Sequence, residues 1–293
     1  MFHIISDSAC DLAEEYVKNN GVDIVSLYVT LDGETYYKDK TELSTRELYR
    51  LMVEENAYPK TSLPSVEDFM DACRPYLEAG EPVIIITISS FLSGSYNSAR
   101  TAKEELLEEF PNAKIAVINS LQNTVEQALF VNEAVRMRDA GLSFEEAVEK
   151  LDGLRDQSRI FFTIGSLEYM KRGGRIGKLA VLAGDKLGIR PVIILKSGEV
   201  NVGGVARTRK KSMEMAFNCC KKFFQENHLN KEDYIFATGF GYDYEEGQKF
   251  RENFEKEFGV TCVDIAEQIG AVTVCHTGPY PIGIGVMRRY ETL

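Results

Sequence analysis

The residues best placed to do chemistry are hydroxyls gathered at the ends of apolar runs. ISSFLSGSYNSARTA, residues 88–102, follows the run Val83 to Ile86 and holds Ser89, Ser90, Ser93, Ser95 and Ser98 with no charge before Arg100. A second group, Thr61-Ser62-Leu63-Pro64-Ser65, leads into another helical pattern. In open α/β sheets, ligands settle at the carboxyl ends of strands, where the next helix points its free amides outward. Hydroxyls there can donate hydrogen bonds to an anion without bringing a charge, and two such junctions on one sheet could converge on one ligand. The same residue types also cap helices and close turns, which is their commoner use, so both readings stand at this point. His276 adds a titratable group in AVTVCHTGPYPIG, where prolines and glycines point to a rigid loop at close approach.

Other chemistries fit poorly. A serine hydrolase calls for G-x-S-x-G or a base-paired serine, and the first is absent from the sequence. Gly173-Gly174-Arg175-Ile176-Gly177-Lys178-Leu179 ends in leucine where a phosphate-cradling loop needs Ser or Thr. Three histidines, His3, His228 and His276, and six cysteines with no C-x-x-C pair give no metal spacing and no disulfide framework.

The elements that must hold these residues alternate. FHIIS, VIIITIS and KIAVINS read as strands buried on both faces of a parallel sheet, with amphipathic helices between them. Asp32-Gly33 marks a hairpin, and Ser44, Ser65 and Ser143 each stand three residues before an acid in a capping-box pattern. Pro75 is expected to kink or shorten the helix that starts after Ser65. Beyond about residue 155, IFFTIGS, RPVIILKSGEVNVGG with a turn at Ser197-Gly198, DYIFATGFG and IGIGVMRRY give further strands. The reading is an α/β chain of two domains: 1–155, a Rossmann-like parallel sheet flanked by helices, and 156–293, an α/β sandwich on a mixed sheet.

Charge and composition bound the partners. The chain has 293 residues, 44% hydrophobic and 27% charged, with net charge −11. Eleven Lys and Arg against two acids lie between Lys171 and Lys211, so that segment carries +9 and the rest −20. Such a field repels nucleic acid and suits a local anion or an acidic partner surface. No apolar run approaches the roughly 20 residues of a membrane span, and the start MFHIISDSACDL lacks a signal-peptide pattern. A cytoplasmic location is expected.

Taken in order, SDSACDL (6–12), KTSLPS (60–65), ISSFLSGSYNSA (88–99), GSLEYMKRGGRIG (165–177), GGVARTRKK (203–211) and IGAVTVCHTGP (269–279) resemble the signature set of the DegV family. The resemblance implies a two-domain α/β fold that binds one long-chain fatty acid, such as palmitate or oleate, with an acyl-chain tunnel in the second domain. Family members include the fatty-acid-binding subunits of bacterial fatty acid kinase. By the same resemblance, Thr61, Ser62, Ser93 and His276 hold the carboxylate, while Arg175 and Arg207 lie near it and serve a kinase partner or the phosphoryl step. The implied role is to present the carboxylate for acyl-phosphate formation, feeding phospholipid synthesis, with no catalytic activity and no cofactor beyond the lipid, and with room for transient contact with a membrane surface.

The hydrogen-bond physics agrees, since a carboxylate buried beside an acyl tunnel must be bonded, and neutral donors supply this without a permanent counter-charge. Two other readings remain: a phosphotransferase using His276, and a carrier of another amphipathic anion. Two departures from the family pattern matter. Asn119 stands where Asp is frequent, and bulky Tyr280 with Pro281 replaces a smaller pair, which would narrow the ligand mouth.

Overall fold

A computed structural model of the protein describes residues 1–182, 188–266 and 268–293; Asp185 and Lys186 of the basic segment lie outside these. The first half runs β1 (His3–Asp7), α1 (Glu14–Asn19), β2 (Val22–Val25), β3 (Tyr28–Thr30), β4 (Tyr37–Lys38), α2 (Thr45–Glu54), β5 (Lys60–Ser62), α3 (Val66–Glu78), β6 (Val83–Thr87), α4 (Ser95–Glu109), β7 (Ile115–Asn119), α5 (Thr124–Asp139) and α6 (Phe144–Leu154). Every side chain of β6 is buried, as a central strand covered on both faces requires. It lies between β1 and β7 in a parallel sheet of order β2-β1-β6-β7. The order reverses between β1 and β6, so the loops leaving these two strands flank the crevice where open α/β sheets bind ligands.

The run VDIVSLYVTL does not form one strand. It divides into β2, in the parallel sheet, and β3, which pairs antiparallel with β4 across the Asp32-Gly33 turn and with β5 on its other side. Thr61 and Ser62 therefore sit on a small sheet of their own, and the expected convergence of two junctions on one sheet becomes a convergence of two sheets. Ser65 and Ser143 close reciprocal capping boxes with Asp68 and Glu146. At Ser44 only half of the box forms, because the Glu47 carboxylate turns to Arg50 at 2.8 Å. Helix α3 continues through Pro75 to Glu78.

The second half runs β8 (Arg159–Thr163), α7 (Glu168–Arg172), β9 (Arg190–Lys196), β10 (Glu199–Ala206), α8 (Arg209–Glu226), β11 (Tyr234–Phe240), α9 (Tyr244–Phe258), α10 (Ala271–Thr277) and β12 (Ile282–Arg288). Its sheet, of order β10-β9-β8-β12-β11, is antiparallel at every pairing. This corrects the expected mixed sheet. Two helices, α9 and α10, separate β11 from β12, and two helical passes return the chain in the opposite direction. The β9–β10 hairpin turns where expected, with Ser197 and Gly198 both at positive φ.

Both halves share a core. Helix α5 packs against β11 and β12 as well as β1, and a cluster containing Ile4, Ile84 and Leu129 also takes in Ile235, Ala237 and Met287. A second cluster beneath β12 is aromatic, with Phe224, Phe236, Phe254 and Phe258 around Ile282, Ile284 and Val286. Among the described residues no helix is long and apolar enough to cross a membrane.

Candidate functional site

A cavity lies between the two larger sheets, bounded by the loops after β6 and β7, by β5, by one face of the antiparallel sheet and by α10. The centre of a water molecule has about 170 Å³ of room there, on the order of ten times what a single water needs. Thr61, Ser62, Ser93, Arg175 and His276 all line it, together with apolar groups such as Leu92, Ile160, Phe162, Leu195 and Val272. Five of the six residues singled out in the sequence thus meet at one cavity.

His276 is not in a loop. It occupies the last turn of α10, a helix rich in β-branched residues and buried at every position but His276. Burial overrides the weak helix propensity of Val and Thr here. The expected rigid turn begins at Gly278, at φ 77°, where a Cβ would lie 2.6 Å from the Tyr169 ring. Helical spacing puts Val272, Thr273, His276 and Thr277 on one cavity-lining stripe of α10, and Ile269, just before the helix, lines the cavity too.

The imidazole is held on both edges. Its Nε2 lies 2.8 Å from Thr61 Oγ1, and its Nδ1 is buried with no hydrogen-bond partner among the described residues. Nδ1 faces Gly173, where any Cβ would come within 2.2 Å of it. Burial, assisted by the nearby Arg175 guanidinium, pushes the histidine down to about 4, so it is neutral at physiological pH. A buried unpaired N–H is rarer than an unpaired acceptor, which assigns the proton to Nε2. His276 then donates to Thr61 Oγ1, and the Thr61 hydroxyl hydrogen is free for a ligand oxygen.

The five serines divide by role. Ser93 lines the cavity while its Oγ accepts from the N–H of Ser95, the first residue of α4, at 3.3 Å; the N-cap position itself is Gly94. Ser89 donates to the Gly198 carbonyl at 2.9 Å, tying this loop to the tip of the β9–β10 hairpin. Ser90 is bound to Asn119, whose amide donates to Ser90 Oγ at 2.8 Å and accepts from Ser90 N–H at 3.1 Å. The departure at Asn119 therefore fastens the loop. Ser98 is part-exposed on α4.

Arg175, expected near the carboxylate, lines the cavity, with Nε on the Leu92 carbonyl at 3.1 Å and Nη1 on the Gly173 carbonyl at 2.6 Å. The cradle is not purely neutral: a permanent cation stands in it, and two backbone carbonyls compensate its desolvation. Arg207 is exposed in the bend between β10 and α8, away from the cavity wall. Arg209 is tied down by Glu246 at 2.6 Å and by the Tyr280 carbonyl at 2.8 Å. Tyr280 is not part of the cavity lining; its neighbour Pro281 is.

The geometry also explains acids left without a role above. Asp7, at the end of β1, accepts from Ile88 N–H at 2.9 Å and Gln127 Nε2 at 2.8 Å, stapling the serine loop across the crevice. Asp11 accepts from the Thr124 hydroxyl at 2.6 Å and so holds a cavity-lining threonine at φ 48°. Burial pushes both carboxyls up to about 6. The signal available in the sequence was two aspartates set within the otherwise uncharged stretch HIISDSACDL. Among the described residues no cluster of His, Cys, Asp and Glu is suited to a metal.

Comparison with known proteins gives a consistent picture. The sequence model of the DegV family, described as uncharacterised, matches residues 1–289. A DegV domain-containing protein of Clostridium perfringens is 30% identical over 279 residues, 94% of each chain. A fatty acid (stearic acid)-binding protein from Eubacterium ventriosum has a solved structure that superposes over 100% of both chains, with TM-score 0.96 and 50% identity. A DegV family protein from Thermus thermophilus, solved in the context of fatty acid binding, superposes with TM-score 0.86 and 30% identity, covering 98% of this chain and 99% of its own.

Proposed function

The chain belongs to the DegV family, and on that premise we propose that it binds one long-chain fatty acid and presents the carboxylate to a separate ATP-dependent kinase for acyl-phosphate formation. The observation that carries the binding reading is the convergence of the Thr61–His276 pair, Ser93 and the Arg175 guanidinium on a cavity otherwise lined by apolar side chains. A carboxylate seated there meets a hydroxyl donor from Thr61, a second from Ser93, and the charge of Arg175, while the chain lies against Leu92, Phe162 and Val272. Solved relatives that bind stearic acid and other fatty acids share this fold.

The histidine favours binding over phosphotransfer. An imidazole pushed down to about 4 is a poor base at neutral pH, and its two nitrogens face Thr61 and Gly173, with no carboxylate among its hydrogen-bond partners. Arg207, exposed off the cavity, is the cation placed for a partner, whereas Arg175 belongs to the ligand cradle. The direct test is to purify the protein from a bacterial host and examine it by native mass spectrometry, with gas chromatography of a denatured extract. One co-purified fatty acid per chain is expected; protein that is empty and also fails to bind added oleate or palmitate refutes the proposal.

A further inference from the structure

The strand IGIGVMR alternates large apolar side chains with glycine. Ile282, Ile284 and Val286 enter the aromatic core on one face of the sheet. Gly283 and Gly285 leave the other face bare, and the bare region extends sideways. Gly283 pairs with Gly239 of β11 on one side and with Phe162 of β8 on the other. Directly opposed residues share a face, so the row steps from an aromatic ring to two positions with no side chain. All three residues line the cavity.

Backbone conformation does not demand these glycines, since neither Gly239 nor Gly283 has a positive φ. The demand is for space. A Cβ on Gly239 would lie 2.9 Å from Val125 Cγ1 and 3.2 Å from Ile269 Cδ1, and both of those side chains line the cavity. Gly285 serves another purpose: a Cβ there would meet Val125 and the Glu126 backbone, so it allows α5 to approach the sheet. Ile269 stands just beyond the N-terminal end of α10, seven residues before His276, which occupies the last turn of that helix.

We propose that Gly239, closed over by Val125 and Ile269, and its neighbour Gly283, flanked by Phe162, form the seat of the terminal carbons of a bound acyl chain and set the longest chain the protein accepts. The inference rests on the reading of the cavity as a fatty-acid site and adds where the chain ends. It commits the chain to run along α10 toward that helix's N-terminus, and not toward Leu195 and Val200 under β9 and β10.

The test uses delipidated full-length protein offered an equimolar series of saturated acids from lauric to arachidic, with occupancy by each acid read by native mass spectrometry. Gly239→Ala pushes Val125 and Ile269 into the cavity and is expected to move the preferred acid to shorter chains. Preference for the longest accepted acid should fall by about fourfold per methylene excluded. Ile269→Val removes Cδ1 and is expected to shift the profile toward longer acids. The double variant, adding one carbon where another is removed, should return toward wild type, which a merely damaged fold would not do. Wild-type protein that takes no acid of the series overturns the fatty-acid reading itself. Wild type that loads normally, with Ile269→Val and the double variant giving superimposable profiles, overturns the gauge alone.

Discussion

Replacing Thr61 by valine is the sharpest probe of the cradle, because it keeps the shape and removes one oxygen. That oxygen accepts from His276 Nε2 at 2.8 Å and leaves its own hydrogen for the ligand. In the empty protein the change leaves a mostly buried imidazole N–H without its acceptor, at a cost of about 1–3 kcal/mol. In the complex it removes a hydrogen bond to a charged carboxylate, about 1.5–3 kcal/mol, equivalent to roughly a ten- to hundredfold loss of affinity. Should the bare Nε2–H reach the carboxylate, the loss falls toward the lower end. Thr61→Ser keeps the hydroxyl and should bind within a fewfold of wild type. Affinity is measured by competition with a fluorescent fatty acid on delipidated protein, and stability by urea unfolding of the empty protein. Thr61→Val indistinguishable from wild type in both measurements would refute the proton assignment and the part given to Thr61.

Ser93→Ala should weaken fatty-acid binding roughly tenfold or more in the same competition assay and lower stability by about 1 kcal/mol through the lost hydrogen bond from the Ser95 N–H; unchanged affinity would reduce Ser93 to a structural role. Ser89→Ala, which cuts the bond to the Gly198 carbonyl, should cost about 1–3 kcal/mol in unfolding free energy while leaving the equilibrium affinity for the carboxylate near wild type. Arg207→Ala should keep its co-purified lipid yet lose acyl-phosphate formation with a cognate kinase and ATP, whereas Arg175→Ala should lose lipid; an empty Arg207→Ala protein would place that arginine in the ligand site. His276, held down to about 4 in the fold, titrates near 6.5 when unfolded. Acid therefore protonates the unfolded chain first, and the histidine's contribution to stability is full above about 6.5 and lost as pH falls toward 4. The stability gap between wild type and His276→Gln should shrink by roughly 2–3 kcal/mol between pH 7 and 4.5. Asp7 and Asp11, raised to about 6, act in the opposite sense in both proteins and cancel in the difference.

The sequence is most transparent where one local rule decides. The continuous apolar run in β6, the Asp32-Gly33 and Ser197-Gly198 turns, and the full capping boxes at Ser65 and Ser143 all form as written. It is opaque where a distant neighbour decides. Nothing local says that VDIVSLYVTL must break between two sheets, or that AVTVCHT, β-branched at four of seven positions, is helical; both follow from what buries them. The site shows the same divide. The motifs supplied Thr61, Ser62, Ser93 and His276, but the pairing of Thr61 with His276 across 215 residues is a property of the fold. The motif also supplied Arg175, but its charge is accommodated at the cavity wall only because the carbonyls of Leu92 and Gly173 receive it.

That placement of Arg175 changes the electrostatic logic of the cradle. Neutral donors alone would leave a bound carboxylate as an uncompensated charge in a partly enclosed space, which is costly. A cation alone would bind any small anion. The proposed site combines them: all three residues line one cavity, where the guanidinium would supply charge and the hydroxyls of Thr61 and Ser93 direction. The neutral imidazole supplies polarity without adding a second positive charge. Were His276 protonated beside Arg175, the two cations would repel in a mostly buried setting, and that cost is one cause of its depressed basicity. Selectivity for an acyl chain over a free anion then follows from the rest of the cavity. In the proposed complex the head group would be held by a few bonds that a small carboxylate could also make, and the affinity gained per methylene, about 0.8 kcal/mol, would be available only to a ligand long enough to reach from His276 to the bare strands at Gly239 and Gly283. Acetate should therefore fail to displace a bound long-chain acid at concentrations where decanoate succeeds; equal displacement by the two would mean that the polar cradle, and not the apolar wall, dominates binding.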